Sequence, residues 1–205
     1  MPSQPCSRIG FRKSRRSAPA ALIFVSVFLL PASLHATIEH DTTVSGDLGY
    51  LKVTITARGA DPEPLFSNLA DGLTARVEYV IRALESRDGA LGLVGSRLLR
   101  EFRVIYTVGW DPFRDRYRLT TQDGGAYTFR DEATLWSFLF TLPDYRIPWS
   151  AFGDPSTEDA TFSVDTRVEY EPIVFAPGLS ILSVFLRDSR HVSPWLESNV
   201  EVPTP

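Results

Sequence analysis

The chain has 205 residues, 43% of them hydrophobic and 12% aromatic, with a formal net charge of −4. That composition suits one globular domain and excludes disordered and fibrous chains. Arg8, Arg12, Lys13, Arg15 and Arg16 are the only charged residues among the first 36; the 21 basic residues less these five leave 16 against 25 acidic ones, or −9. A surface that acidic is repelled by phosphate backbones and anionic lipid heads, which sets nucleic-acid binding aside.

The basic cluster precedes a nearly uninterrupted apolar run over residues 18–30 and the more polar, small-residue end Pro31-Ala32-Ser33-Leu34-His35-Ala36. This is the three-part build of a signal peptide over residues 1–36. Ala36 suits the position before a cut, whereas Leu34 is bulky where a small residue is usual. The run is also long enough to stay in a bilayer as an uncleaved anchor, and both readings stay open. Ser14-Arg15-Arg16 hints at twin-arginine export, but the apolar residue usual shortly after it is missing. The sole cysteine, Cys6, falls in this segment, so the exported part carries neither a disulfide nor a lipid-anchoring thiol. The expected location is the periplasm or cell envelope, with membrane contact only through the N-terminal segment if it is retained.

Residues 37–47 are polar and read as loose. Leu51, Val53, Ile55 and Ala57 then alternate with polar neighbours as a first strand. Asp61-Pro62 is a strong helix start, a capping carboxylate followed by proline where a missing N–H costs nothing, and Asp71-Gly72 ends the short helix. From Leu73 to Ala83 the period returns to two. Glu101 to Trp110 is the clearest strand, with Phe102, Val104, Tyr106, Val108 and Trp110 on one side, and the rest of the chain is expected to be organised around it. Asp111-Pro112-Phe113-Arg114-Asp115 reverses the chain and brings Tyr117 opposite Trp110. Gln122-Asp123-Gly124-Gly125 is a second hairpin turn, followed by a strand beginning at Ala126.

Asp131 caps a helix that Pro143 stops, with Leu135, Phe138, Leu139 and Leu142 on one face beside Trp136 and Phe140. Tyr145-Arg146-Ile147-Pro148-Trp149 suits a sheet edge because proline interrupts it. After the acidic loop at 153–159, residues 160–170 alternate as the last long strand. Residues 179–186 read as a short apolar helix, and a proline-containing tail follows. No internal repeat or low-complexity tract is evident.

Chemistry is sparsely signalled. His40 and His191 sit in segments expected to be flexible or terminal, with no partner at ligand spacing, and read as solvated surface histidines. No nucleophile elbow, zinc-protease pair or phosphate loop occurs. Asp154, Glu158 and Asp159 offer carboxylates for calcium but lack the alternating oxygens and fixed glycine of an EF-hand, so a solvated acidic loop is the preferred reading. The Trp110-Asp111 corner could be a ligand platform, though a tryptophan there is more often core. The helix at 179–186 could lie on the sheet or face a membrane; it is too short to span, and Arg187 and Arg190 are too few to hold anionic lipid. No catalytic, cofactor-binding or metal-ligating residue is assigned, and no enzyme activity is expected.

Trp110-Asp111, Tyr117-Arg118-Leu119, Phe129-Arg130-Asp131-Glu132-Ala133 at the head of the second helix, residues 177–186 and Ser193-Pro194-Trp195 together resemble a bacterial exported family, domain of unknown function 4390. The resemblance spreads over residues 48–198. Members of that family carry signal peptides and have no established activity. Some are encoded beside membrane sensor kinases of the nitrogen-regulation type, which implies a periplasmic accessory role. The matched residues look structural.

The expected fold is mostly β with some α: one domain over residues 45–198, an antiparallel β-sandwich or curled sheet with two or three short covering helices. The expected role is a non-catalytic interaction or accessory module of the cell envelope, with an envelope or membrane protein as partner. The alternative is a carrier of a small ligand or lipid, with Trp136, Phe138 and Phe140 lining its cavity. A carboxylate hydrolase using Asp154 or Glu158 is a third reading.

Overall fold

The computed structural model describes residues 38–47, 49–86, 95–153, 161–174 and 190–200, all within one compact unit, His35–Pro205. The acidic loop residues Asp154, Glu158 and Asp159, the apolar stretch 179–186 and the N-terminal leader lie outside the described residues.

Two antiparallel sheets share one core. The smaller contains β1 (Glu39–Gly46), β2 (Tyr50–Arg58) and β7 (Thr141–Pro148), in the order β1-β2-β7. The larger runs β10-β8-β3-β4-β5-β6, from β10 (Leu196–Val200) through β8 (Thr161–Val174), β3 (Thr74–Ser86), β4 (Ser96–Asp111) and β5 (Arg116–Thr121) to β6 (Ala126–Phe129), with the short β9 (His191–Val192) also paired to β8. The strands follow the period-two pattern, since alternate side chains must share one face. Leu51, Val53 and Ile55 of β2 face the core, as do Val77, Tyr79 and Ile81 of β3, Val108 of β4 and Val164 and Val168 of β8.

The expected Glu101–Trp110 strand, within β4, shares the middle of the larger sheet with its neighbour β3. The strand β3 pairs with β4 and β8 along nearly its whole length. Successive residues Val80 and Ile81 are both 0% exposed, so β3 is covered on both faces. On the outer face Val80 lies opposite Arg103 in one ladder and Arg167 in the other, and arginine stems can cover apolar surface.

Residues 38–47, the described part of the stretch 37–47, are not loose. Glu39–Gly46 is a full strand paired to β2, and His40 on its inner face is buried. The pattern is hidden in the sequence because two of its inward residues, His40 and Thr42, are polar. Both are within hydrogen-bond distance of Thr166 in the opposite sheet, at 3.0 and 2.7 Å. The reading of His40 as a solvated surface histidine is therefore overturned. His191 is not free either: its ring stacks on Tyr170 at 5.8 Å.

The tail also forms strand. Ser193 holds β8 twice, its N–H donating to the Val168 carbonyl and its Oγ accepting from the Val168 N–H, each at 2.9 Å. The next paired residues are Leu196 and Thr166, so Pro194 and Trp195 together stand against Arg167. Such a bulge re-aims a side chain. Here it turns Trp195 onto the outer face, between the guanidinium groups of Arg82 and Arg167 at 4.1 and 4.4 Å from the ring centroid.

Two helices complete the core. The helix α1 (Pro62–Ala70) begins at Asp61, whose carboxylate accepts from the Glu63 N–H at 3.1 Å. The helix α2 (Glu132–Leu139) begins at Asp131, which accepts from the Thr134 N–H at 2.7 Å. Each buries two leucines completely, Leu65 and Leu69 in one, Leu135 and Leu139 in the other. The C-terminal carbonyl of Leu139 accepts from the Tyr79 hydroxyl at 2.8 Å, and that of Phe140 from the Ala57 N–H at 2.9 Å. Among the described residues no helix is long and apolar enough to cross a membrane.

Candidate functional site

The two helices carry the same local pattern. Laid on one another, Asp61 matches Asp131, Leu65 matches Leu135, Ser67 matches Ser137 and Leu69 matches Leu139, with Phe66 against Trp136. A short internal match therefore exists where none was expected. In each helix the aspartate caps, the leucines point into the core and the aromatic residue lies half-buried at the flank, because a position next to a buried leucine falls at the margin of the apolar stripe.

The fold sets these flanks side by side. Phe66 and Trp136 face each other with ring centroids 6.3 Å apart, and Tyr117 from β5 meets the Phe66 ring edge-on at 5.6 Å. Between the helices opens a groove of about 830 Å³, lined by Pro62, Glu63, Phe66, Asp131, Glu132 and Trp136 among others. That volume falls within the range of ordinary ligand sites. Its walls are aromatic and its rim is acidic.

Electrostatics sharpen the description. Among the described residues none of Asp61, Glu63, Asp131 and Glu132 takes part in a salt bridge; the described bridges fall elsewhere. Asp131 is held below the usual carboxylate range by its hydrogen bonds from Thr134. Glu132 accepts from the Tyr117 hydroxyl at 2.9 Å. Burial, and then that bond to a carboxylate, pushes the Tyr117 phenol up to about 12. Asp131 therefore keeps its negative charge at neutral pH, beside the weak positive end of its short helix.

On the outer face of β3, β4 and β8 a set of charges is paired among itself. Glu78 accepts from Arg76 and Arg103 at 2.9 and 2.8 Å, and Glu101 from Arg82 and Arg103 at 2.8 and 2.7 Å. Glu169 is held by Arg167 and Arg190. Through the Trp195 ring, these pairs form one ribbon across β4, β3 and β8. The two arginines beside Glu101 draw its pKa down, by hydrogen bonding first and charge second. Each of these carboxylates is saturated, so the ribbon ties strands together and leaves little for a substrate.

The residues singled out in the sequence are dispersed. Trp136 lines the groove, but Phe138 points to a second, shallower recess beside Ala133, Ser137 and Pro143, and packs on Tyr106, Tyr127 and Phe129. Phe140 is core, in contact with Trp136 and Tyr170. The three do not line one cavity. Trp110, partly buried, packs on Tyr117 at 4.7 Å at the strand end, and Asp111 accepts from the N–H groups of Phe113 and Arg114 in the turn; both also line a small recess of about 390 Å³. Phe66 and Glu63 are groove residues that sequence reasoning missed, and Tyr117 backs the Phe66 ring from the core. Among the described residues, no group of three or more His, Cys, Asp or Glu side chains is placed to hold a metal ion. No family model, curated protein or solved structure matches the chain.

Proposed function

We propose that this chain is an exported cell-envelope protein that acts as a non-catalytic docking module, seating a protein partner in the groove between α1 and α2. The observation that carries the reading is the pairing of half-buried Phe66 and Trp136 beneath a rim of carboxylates that take part in no described ion pair. Aromatic anchoring at the centre with a charged rim is the usual anatomy of a protein-binding patch. The acidic rim suits a basic segment, and the signal-peptide reading of residues 1–36 supports an envelope protein or the periplasmic part of a membrane protein as its bearer. The resemblance to the exported family near sensor kinases supports the same setting. The saturated carboxylates of the outer ribbon support a non-catalytic role.

A photo-crosslinking residue at Ser67 or Ala133, both on the groove, tests this in intact host cells. The expected result is a discrete adduct with an envelope protein, absent when the probe sits on the far edge at Ser45. Recovery of the free monomer alone sinks the reading. A stoichiometric lipid seen by native mass spectrometry of protein purified from its host would favour the carrier instead, which the divergent paths of Trp136, Phe138 and Phe140 support less well.

A further inference from the structure

The two sheets are not sealed equally well along their sides. Where β1 and β10 run beside each other, the inward groups include His40 and Thr42 of β1 and Thr166 of β8, in place of hydrocarbon. Thr166 is wholly buried, and its hydroxyl reaches the Leu196 carbonyl of β10 at 3.4 Å. Polar groups regain hydrogen bonds when water enters, so a seam of this kind loses less on wetting than an apolar one.

The strand that covers this seam is weakly held. Among the described residues β10 is the edge of the larger sheet and pairs with β8 alone. Its register sets Leu196, Ser198 and Val200 on the inner row, opposite Thr166, Val164 and Phe162. Leu196 is nevertheless 37% exposed, Ser198 is small and polar, and only Val200 is buried. On the outer row Glu197 faces Asp165, a like-charged pair that works against the ladder. The chain just before β10 is fastened far better. Ser193 bonds the Val168 backbone through both its N–H and its Oγ, and the Trp195 ring lies between the Arg82 and Arg167 guanidinium groups.

We infer that β10 is a releasable strap: it leaves β8 as a unit, pivoting on Ser193 and Trp195 while both sheets stay folded, and the Glu197–Asp165 repulsion sets how often it leaves. Segments with few buried apolar contacts are the ones that open ahead of the whole fold. Departure of the strap bares the backbone edge of β8 from Phe162 to Thr166. It also removes the Leu196 carbonyl from Thr166 and admits water to His40, which is 9% exposed while the strap is closed. The strand β3, paired on both sides, stays in place. The strap is separate from the α1/α2 groove and stands or falls independently of it.

Hydrogen exchange of the full chain in detergent at neutral pH tests the strap. The β10 amides bonded to β8 are expected to exchange about a hundredfold or more faster than those of β3, and within about threefold of one another. Protection that declines steadily from Leu196 to Val200 would mean simple fraying of a chain end and overturns the proposal. So does exchange of β10 only together with β3. Glu197→Lys turns the repulsion into attraction at an exposed position, and should slow β10 exchange by about threefold or more while leaving β3 unchanged. Carbethoxylation of His40 by diethyl pyrocarbonate, located by mass spectrometry, should slow by the same factor. That of His191, which lies ahead of the pivot, should not change. His40 reactivity indifferent to Glu197→Lys would show that the strap does not guard the seam, and the proposal falls. The exchange pattern is read on the unaltered protein, so it decides the matter even if the variant fails to fold.

Discussion

Glu197 of β10 stands directly opposite Asp165 of β8 across the ladder that fastens the C-terminal strand. Like charges in that position destabilise a sheet. Asp165 feels it: burial first, then Glu197, raises its carboxyl above the ordinary 3.8, against the opposing pull of Arg82. Its Oδ1 has no hydrogen-bond partner among the described residues. A carboxyl whose folded pKa lies above its unfolded one favours the fold when protonated. That contribution is complete below 3.8 and is lost as pH rises through the folded value. Asp165→Asn is therefore expected to stabilise the protein at neutral pH by a few tenths to about 1 kcal/mol. Urea titration should show a higher midpoint with unchanged slope, and the advantage should vanish in acid, where the native carboxyl is neutral too.

His40 has the opposite pH dependence. Its Nε2 lies 3.0 Å from Thr166 Oγ1, Thr42 Oγ1 lies 2.7 Å from the same atom, and Thr166 is within reach of the Leu196 carbonyl as a donor. If the Thr166 proton goes to Leu196, then Thr42 and His40 both donate, which fixes the neutral imidazole with its proton on Nε2. Its Nδ1 is buried without a partner among the described residues. Burial accordingly lowers the pKa of His40 from 6.5, against the weaker raising effects of Thr166 and Asp41. With the folded pKa below the unfolded one, the stabilisation is present above 6.5 and is lost as pH falls through the folded value. His40→Gln keeps a donor and removes the titration. Thermal melts between neutral and mildly acidic pH should fall in the native protein and stay flatter in the variant; equal slopes would contradict this account.

These two sites mark where the sequence stops being legible. Strands β2, β3, β4 and β8 declare themselves because hydrophobic residues occupy the inward positions, and both helices because Asp61 and Asp131 cap them. The strand β1 is hidden because its inward row includes His40 and Thr42, whose burial is tolerable only through Thr166, far away in sequence. The strand β10 is hidden because Pro194 breaks its run and only Val200 among its five residues is buried. The matching residues of α1 and α2 can be read by laying Asp61 on Asp131, but nothing in either helix says that the other lies beside it. Only the path of the chain through β3 to β6 brings Phe66 to Trp136, so the groove could not be read from local pattern.

Tyr79 links strand β3 to the end of α2. Its hydroxyl donates to the Leu139 carbonyl at 2.8 Å while the ring is wholly buried against Tyr106. Burial also raises its pKa well above the ordinary 10.0, so the phenol stays protonated and remains a donor throughout the physiological range. Tyr79→Phe preserves the packing and leaves a buried helix-end carbonyl without this donor. The expected cost is about 1–3 kcal/mol, read by denaturant unfolding. Hydrogen exchange should locate the loosening at the C-terminal turn of α2, and a change confined to β3 would contradict the assignment.

Docking in the groove separates from folding in a single comparison. Ser67 is exposed on the groove wall, with Phe66 beside it. Ser67→Trp adds bulk to the groove and removes nothing from the core, so stability is expected to change by no more than about 0.5 kcal/mol. A crosslink from Ala133 to the envelope partner should be lost all the same, because the incoming side chain finds its place taken. Glu63→Lys together with Glu132→Gln leaves the aromatic walls in place and weakens the rim charge; it should reduce the adduct yield, with greater loss at low ionic strength, where the charges are least screened. If the crosslink survives both variants in folded protein, the groove is not the docking surface.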